Sequence, residues 1–199
     1  MSVDEGRRRP PAAREAIIRA ATELIRINGV AGTSISDVIT RSGTSAGAIY
    51  HHFGSKERLV LEVGRNAMAV PMTMIMRTST GLSPAELFSA AFDRVTGDDD
   101  TPELLLQIWA GAKSDPGLWK LLIGEVSTVK GSIIVFIGGW CAQHAPASDA
   151  GAIANVIMSL ITGYSVQRGL GLAVDQQAYR ACGVRMLDAL VAEGALPQP

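Results

Sequence analysis

The sequence has very few cysteines: only Cys141 and Cys182 occur among its 199 residues, far apart and with no paired spacing. Disulfide frameworks and cysteine-based metal sites require pairs or closely spaced clusters, so neither is predicted. His51 and His52 are adjacent, whereas a metal pair on one helical face needs two histidines four residues apart. We therefore expect no metal and no cofactor.

The sequence also lacks the patterns of sheets, secretion signals and membrane helices. No segment shows sustained alternation of apolar and polar residues, which excludes a predicted sheet. Residues 1–9 are polar and charged, so we expect no secretory signal. The longest weakly polar or apolar run, Gly131 to Ala142, is shorter than the roughly 20 residues that span a membrane. These absences predict a cytoplasmic protein with no membrane partner.

Helical patterns account for nearly all of the chain, and 47% of its residues are hydrophobic, enough for a substantial core. Capping residues, Gly and Pro divide these patterns into an all-α fold. We predict helices over 14–28, 34–41, 45–51, from 56 toward 76 with a break or bend at Pro71, and over 83–95, 101–113 and 116–140. Two more are predicted behind caps at Ser148 and Asp175.

The stretch from Thr33 to Lys56 predicts two short helices joined by a tight turn. Thr33 or Ser34 can cap the first helix, and Asp37 is placed for a capping box and for the helix dipole. Gly43 can adopt the left-handed conformation that ends a helix, and Thr44 or Ser45 can cap the next one. The pattern is that of a helix-turn-helix.

The second of these helices has an unusual composition. Ser45, Ala46, Gly47 and Ala48 have almost no side-chain bulk, and Gly inside a helix costs about 1 kcal/mol relative to Ala. A face of small residues allows close approach to another surface, and a DNA groove is such a surface. The rings of residues 50–53 follow directly, and among them Phe53 is predicted to be core.

Ser45, Gly47, Tyr50, His52, Phe53 and then residues 55–57 form the pattern S-x-G-x-x-Y-x-H-F-x-S-K-E. This segment resembles the recognition-helix region of the tetracycline-repressor (TetR) family, and the resemblance covers about residues 12–62. It implies an N-terminal three-helix DNA-binding domain over residues 1–62 and a C-terminal helical effector-binding and dimerisation domain over residues 63–199. It also implies a homodimeric repressor, released from a palindromic double-stranded operator by a small-molecule effector. By position, the DNA-binding residues would be Ser34, Thr44, Ser45, Ala46, Gly47, Ala48, Tyr50, His51, His52 and Lys56.

Direct reading of bases has few candidates, because Ala46, Gly47 and Ala48 have no group for bidentate recognition of a base edge. Apolar contact with thymine methyl groups and sensing of DNA shape are left as the means of specificity. We therefore hypothesise that Arg7 to Arg9 enter the minor groove. A solvated tail is the alternative for this arm.

The C-terminal part has apolar and aromatic residues that could line an effector pocket, although residues at helical spacing can equally be plain core. Few cations occur there, so an apolar or aromatic effector is predicted. Glu125 is either a charged group that faces this effector or a residue at an exposed edge. The candidate residues are Met68, Met72, Phe88, Phe92, Trp109, Trp119, Glu125, Phe136 and Trp140.

The last two helices have apolar stripes with small residues between them, which suits a four-helix bundle across a two-fold axis. Intramolecular packing alone is the other interpretation. The candidate dimer residues are Val156, Leu160, Tyr164, Ala181, Leu187 and Leu190.

Two other functions are compatible with parts of the sequence. The first is a helical regulator with no small-molecule effector, controlled by a protein partner, which a core without a cavity would favour. The second is a serine hydrolase, because Gly43 to Gly47 match the G-x-S-x-G nucleophile elbow around Ser45. That elbow requires a preceding strand, whereas residues 34–41 are predicted to be helical, so no enzyme activity is predicted.

Overall fold

A computed structural model describes residues 10–97 and 100–192, and within these ranges the protein is all-helical, with no strand. This confirms the all-α prediction. The helices are α1 Pro10–Asn28, α2 Ile35–Ser42, α3 Ala46–Phe53, α4 Lys56–Gly64, α5 Val70–Thr78, α6 Pro84–Thr96, α7 Thr101–Lys113, α8 Pro116–His144, α9 Ala150–Gly169 and α10 Gln176–Ala192. A π-helical turn, Arg65–Ala69, connects α4 to α5.

The chain divides into two compact units. The first comprises residues up to Val63 together with Gln107–Leu121, and the second comprises Gly64–Leu106 and the residues from Leu122 onward. The division after Val63 lies one residue beyond the predicted boundary. No sequence pattern indicated that the end of α7 and the start of α8 belong with the N-terminal helices.

Local signals set the helix ends of the first unit. Gly29 and Gly43 have φ of 71° and 65°, and each ends a helix in the left-handed region where Gly has no steric penalty. Ser34 forms the predicted capping box with Asp37, and Ser45 caps α3. Behind these caps the apolar faces are buried in one core, formed by Ile17, Ala20, Ala21, Ile25, Val30, Val38, Ile49, Phe53, Leu59, Val60 and Val63.

Gly111 of α7 lies against Val30, in the segment that follows α1. A Cβ atom built on Gly111 would be 2.4 Å from the Cβ of Val30, closer than real Cβ atoms approach. The absence of a side chain at position 111 therefore permits this contact.

Pro71 accounts for the π-helical turn. Proline has no N–H, and its ring collides with the carbonyl group four residues earlier, here that of Ala67. The turn before it widens, so that the Val70 N–H donates to the Arg65 carbonyl, five residues back. The helix does not break at Pro71, because it continues to Thr78. The predicted break was therefore wrong.

The core of the second unit is built around buried aromatic rings. Phe88 and Phe92 of α6 are fully buried, and the Phe92 ring stacks on Tyr179 at 5.7 Å and meets Tyr164 edge-on at 4.7 Å. The Tyr179 hydroxyl donates to the Leu160 carbonyl at 2.7 Å, so this polar atom of the ring cluster is satisfied.

Several helix ends differ from their predictions. Helix α1 begins at Pro10 instead of residue 14, because Pro is well tolerated in the first turn of a helix. Helix α8 continues to His144 instead of Trp140. Asp149, not Ser148, caps α9, since its carboxylate accepts hydrogen bonds from two backbone N–H groups, those of Gly151 and Ala152.

Three helices of the described chain are long and apolar enough to cross a membrane by length and composition: Lys56–Thr78, Pro116–His144 and Ala150–Gly169. The prediction that no segment is long and apolar enough to span a membrane relied on uninterrupted apolar runs, and these three helices contradict it. One face of Ala150–Gly169 is buried in the core of the second unit through Ile153, Ile157 and Ile161, which accounts for part of its hydropathy.

Gly183 of α10 allows a test of this core. A Cβ atom there would be 2.5 Å from Cε1 of Phe88, whereas one on Gly131 of α8 would have no neighbour within 4 Å. We expect Gly183→Ala to lower the free energy of unfolding by about 1–3 kcal/mol through overpacking. Gly131→Ala should raise it by up to about 1 kcal/mol through helix propensity. Urea unfolding followed by circular dichroism measures both, and equal stabilities of the two variants would contradict the close contact.

Candidate nucleic-acid interface

Helices α2 and α3 are joined by a turn of three residues. Gly43 turns the chain back, and its N–H donates to the Ile39 carbonyl at 3.0 Å. The Thr44 hydroxyl pairs with the Ser42 hydroxyl at 2.7 Å, and the Ser45 hydroxyl accepts from the Ala48 N–H at 3.2 Å. These contacts fix where α3 begins.

Two apolar side chains orient α3. Ile49 is fully buried and Phe53 is 7% exposed, four residues further along the same face. The opposite face is therefore directed to solvent, and Ala46, Gly47, Tyr50 and His51 are exposed there.

The exposed face of α3 is smooth at its N-terminal end. A Cβ atom on Gly47 would meet only the Ser45 hydroxyl oxygen, at 3.7 Å, so no contact within the chain requires Gly here. Gly47 lowers the stability of the helix, and packing within the chain does not require it. We therefore infer that Gly47 allows close approach of another molecule.

The rings at the C-terminal end of α3 divide between solvent and core. Tyr50 is 53% exposed, and the His51 and His52 rings meet edge-on at 5.2 Å. His52 is half-buried and meets Phe53 edge-on at 6.1 Å. Tyr50 and His51 thus offer polar groups to solvent, and Phe53 is the core residue that the sequence predicted.

Ser34, Asp37 and Lys56 form a small charged group beside the turn. The Ser34 hydroxyl donates to Asp37 at 2.6 Å and the Ser34 N–H at 2.9 Å, and these two hydrogen bonds, followed by the charge of Lys56, lower the pKa of Asp37. Because the pKa of Asp37 is lower in the folded chain, its ionised carboxylate stabilises the fold at pH values above the ordinary pKa of 3.8. This contribution to stability is lost as the pH falls through the lower pKa of the folded state. The carboxylate is therefore charged at neutral pH.

Two arginines of this unit make ion pairs within the chain. Arg41 at the end of α2 pairs with Glu23 of α1, and Arg14 pairs with Glu62 and lies over the Phe53 ring. Both contacts tie α1 to other helices of the unit. Arg7 to Arg9, the predicted minor-groove arm, lie outside the described residues.

The predicted effector residues are distributed over both units. Trp109 and Trp119 belong to the first unit, where their rings meet edge-on at 6.4 Å. The other seven belong to the second unit: Phe88 and Phe92 are in its core, Phe136 and Trp140 pack against that core, and Glu125 pairs with Arg65 at 3.0 Å. Met68 and Met72 are the two that line a common apolar cavity.

This cavity has a volume of about 40 Å³ and lies within the second unit. Sequence analysis missed most of its lining, because the residues come from helices far apart in the chain. The apolar stripe of α9 predicted dimer contacts or intramolecular packing, whereas Ile157 and Ile161 of that helix line the cavity. The lining consists of Ala67, Met68, Pro71, Met72, Ile75, Ala91, Arg94, Val95, Val129, Ile133, Ile157, Met158, Ile161 and Thr162.

The predicted dimer residues differ in exposure. Tyr164 and Leu187 are buried within their own chain, Val156, Leu160 and Leu190 are half-buried, and Ala181 is exposed. Exposed apolar side chains that were not predicted lie on the same two helices, namely Val166 on α9 and Met186 on α10.

Two short helices joined by a turn that contains Gly, with one face of the second helix open to solvent, are the arrangement of helix-turn-helix DNA-binding proteins. Residues 17–63 match the family model described as bacterial regulatory proteins, tetR family. Over these residues the chain is similar to the TetR family, in agreement with the resemblance seen in its sequence.

Relatives and solved structures extend the comparison. The HTH-type transcriptional repressor Rv3405c of Mycobacterium tuberculosis is 36% identical over 92 residues, which cover 44% of this chain and 47% of that protein. The match thus spans about half the length of this relative. The HTH-type transcriptional regulator BetI of Agrobacterium fabrum is 27% identical over 80% of this chain and 78% of its own. A TetR-family transcriptional regulator from Cytophaga hutchinsonii has the same fold over the full length of both chains, with a TM-score of 0.67 and 18% identity.

Gly47 provides a test of the interface that separates stability from binding. We expect Gly47→Ala to keep or raise the melting temperature, since Ala favours the helix and the added methyl group meets nothing within the chain. The same methyl group should weaken DNA binding by obstructing close approach. Gly131→Ala, on α8 of the second unit, is the matched control. A variant that binds DNA as tightly as the wild type would exclude close approach at Gly47.

Proposed function

We propose that this protein is a DNA-binding transcriptional regulator that recognises a palindromic operator as a homodimer. The observation that carries the proposal is the exposed, small-residue face of α3 held behind the Gly43 turn. A helix presented in this way fits the major groove, which is wide enough to admit it.

Phosphate contacts would come from donors around the two ends of α3. Hydroxyl groups are present on Thr44, Ser45 and Tyr50, an imidazole on His52 and an ammonium group on Lys56. A further hydroxyl, that of Ser34, lies at the start of α2. Such groups donate to phosphate oxygens and fix the register of the protein on the duplex. Backbone N–H groups at the start of α3 favour the same anionic partner.

A homodimer would form through the outer faces of α9 and α10. Val166 and Met186 are 37% and 50% exposed there, and Ala181 permits close approach of a second helix. A two-fold dimer places two α3 helices against two half-sites, which is why a palindromic operator is the expected partner. A cytoplasmic location follows from a DNA partner.

An apolar effector is proposed for the cavity beside Met68 and Met72. Its volume of about 40 Å³ would hold little more than water-sized molecules, whereas pockets for drug-sized ligands measure roughly 300–1,000 Å³. Binding would therefore require these flexible methionines to move. Ala67 and Met68 lie in the π-helical turn, so a ligand would press on the helix that leads to the DNA-binding unit. The protein is proposed to be a repressor that the effector releases from DNA.

The two rival functions have less support. A regulator controlled by a protein partner, with no effector, was predicted to have a core without a cavity, whereas a small cavity is present. A hydrolase elbow at Ser45 would need a preceding strand, but α2 precedes it and Ser45 serves as a helix cap.

Selection of genomic DNA fragments by the purified protein, followed by footprinting, tests DNA binding directly. We expect a protected palindrome whose affinity falls with salt. Lys56→Gln should reduce the log-log salt slope by about 1.8 for a dimer that loses one phosphate contact in each half-site. Lys130→Gln on α8 is the matched control and should leave the slope unchanged. Failure of a folded protein to enrich any fragment at low salt would rule the proposal out.

The cavity is tested by a substitution that fills it. Ala91 lines the cavity, whereas its neighbour Ala90 does not. In a screen of apolar and aromatic compounds, we expect some to raise the melting temperature of the wild type and release its operator. Ala91→Val should abolish both effects, and Ala90→Val, the matched control, should retain them. Compounds that act equally on both variants would place the effector elsewhere.

A further inference from the structure

The first turn of α3 offers DNA a methyl group and little else. Ala46 and Gly47 are exposed, and Ala48 is half-exposed, so the side chains on the outer surface of this turn are no larger than a methyl group. The polar side chains of the exposed face, Tyr50 and His51, lie one turn further along the helix.

The two hydroxyl groups nearest to this turn already have partners. Thr44 pairs with Ser42 at 2.7 Å, and Ser45 accepts from the Ala48 N–H at 3.2 Å as the cap of α3. Rotating either group toward a base would break a contact that positions the helix. The Ser45 O–H can still donate, and in the proposed function it donates to a phosphate, so the methyl group of Ala46 is the side chain that this turn presents to a base edge.

Among the four bases, only thymine presents a methyl group in the major groove, and the others present donors or acceptors alone. A donor or acceptor pressed against Ala46 would lose its hydration without gaining a hydrogen bond. We propose that Ala46 is a specificity-determining residue that selects thymine in each operator half-site by contact between its methyl group and the 5-methyl group of the base. This inference rests on the proposed DNA-binding function and names the base that one residue selects.

Uracil tests the methyl contact, since it differs from thymine only by lacking the 5-methyl group. Each thymine of the footprinted operator would be replaced in turn by deoxyuridine in synthetic duplexes, and the Kd measured by fluorescence anisotropy. We expect one thymine per half-site whose replacement weakens binding about fourfold, and about 15-fold when both half-sites are changed, from the burial of one methyl group each.

The protein side of the contact is tested on the same duplexes. In Ala46→Gly the methyl group is gone, so the uracil effect at that position should shrink to less than about twofold. Ala46→Ser, which keeps a Cβ atom but adds a hydroxyl group, is a second variant in case Gly disturbs the short helix, and it too should reduce the effect. Ala110→Gly, at an exposed position of α7, is the matched control and should preserve the full effect.

The outcomes separate this inference from the function on which it rests. An operator that is bound tightly but is insensitive to uracil at every position overturns the methyl contact and leaves DNA binding intact. A uracil effect that persists in both Ala46 variants assigns the contact to another residue and also overturns the proposal. If no operator is selected at all, the proposed function fails, and this inference fails with it.

Discussion

The burial of Ile49 and Phe53 is the constraint on which the rest of the interface depends. Because these two side chains occupy the core of the first unit, α3 can present only one face to solvent, and that face carries Ala46, Gly47 and Tyr50. Hydrophobic burial thus decides which residues of α3 are available to an outside partner. The caps at Ser34 and Ser45 then set the positions at which the two helices begin.

The first unit could be predicted closely because its signals are local. The capping box of Ser34 and Asp37, the left-handed Gly43 and the cap at Ser45 each act within four residues along the chain. No local pattern predicts the contact of Gly111 with Val30, because about eighty residues separate the two positions. Membership of residues 107–121 in this unit was for that reason invisible in the sequence.

The second unit was less predictable, because its cavity and core depend on which faces of long helices meet. Periodicity identified Phe88 and Phe92 as apolar positions but could not distinguish a ligand wall from a core. In the structure Phe88 packs against Phe92, and Phe92 in turn packs against Tyr164 and Tyr179, so these rings belong to the core. Tyr164, a candidate dimer residue, is buried by the same packing. Two side chains, Met68 and Met72, lie where the predicted pocket and the observed cavity coincide.

The contact between Gly111 and Val30 also constrains how this sequence can vary. A side chain at position 111 would occupy the space that the Val30 side chain already fills, and a smaller residue at position 30 alone would leave a void. Neither position can change freely while the other is kept. Among similar sequences, these two positions are therefore expected to vary together. A larger side chain at position 111 should occur with a smaller one at position 30.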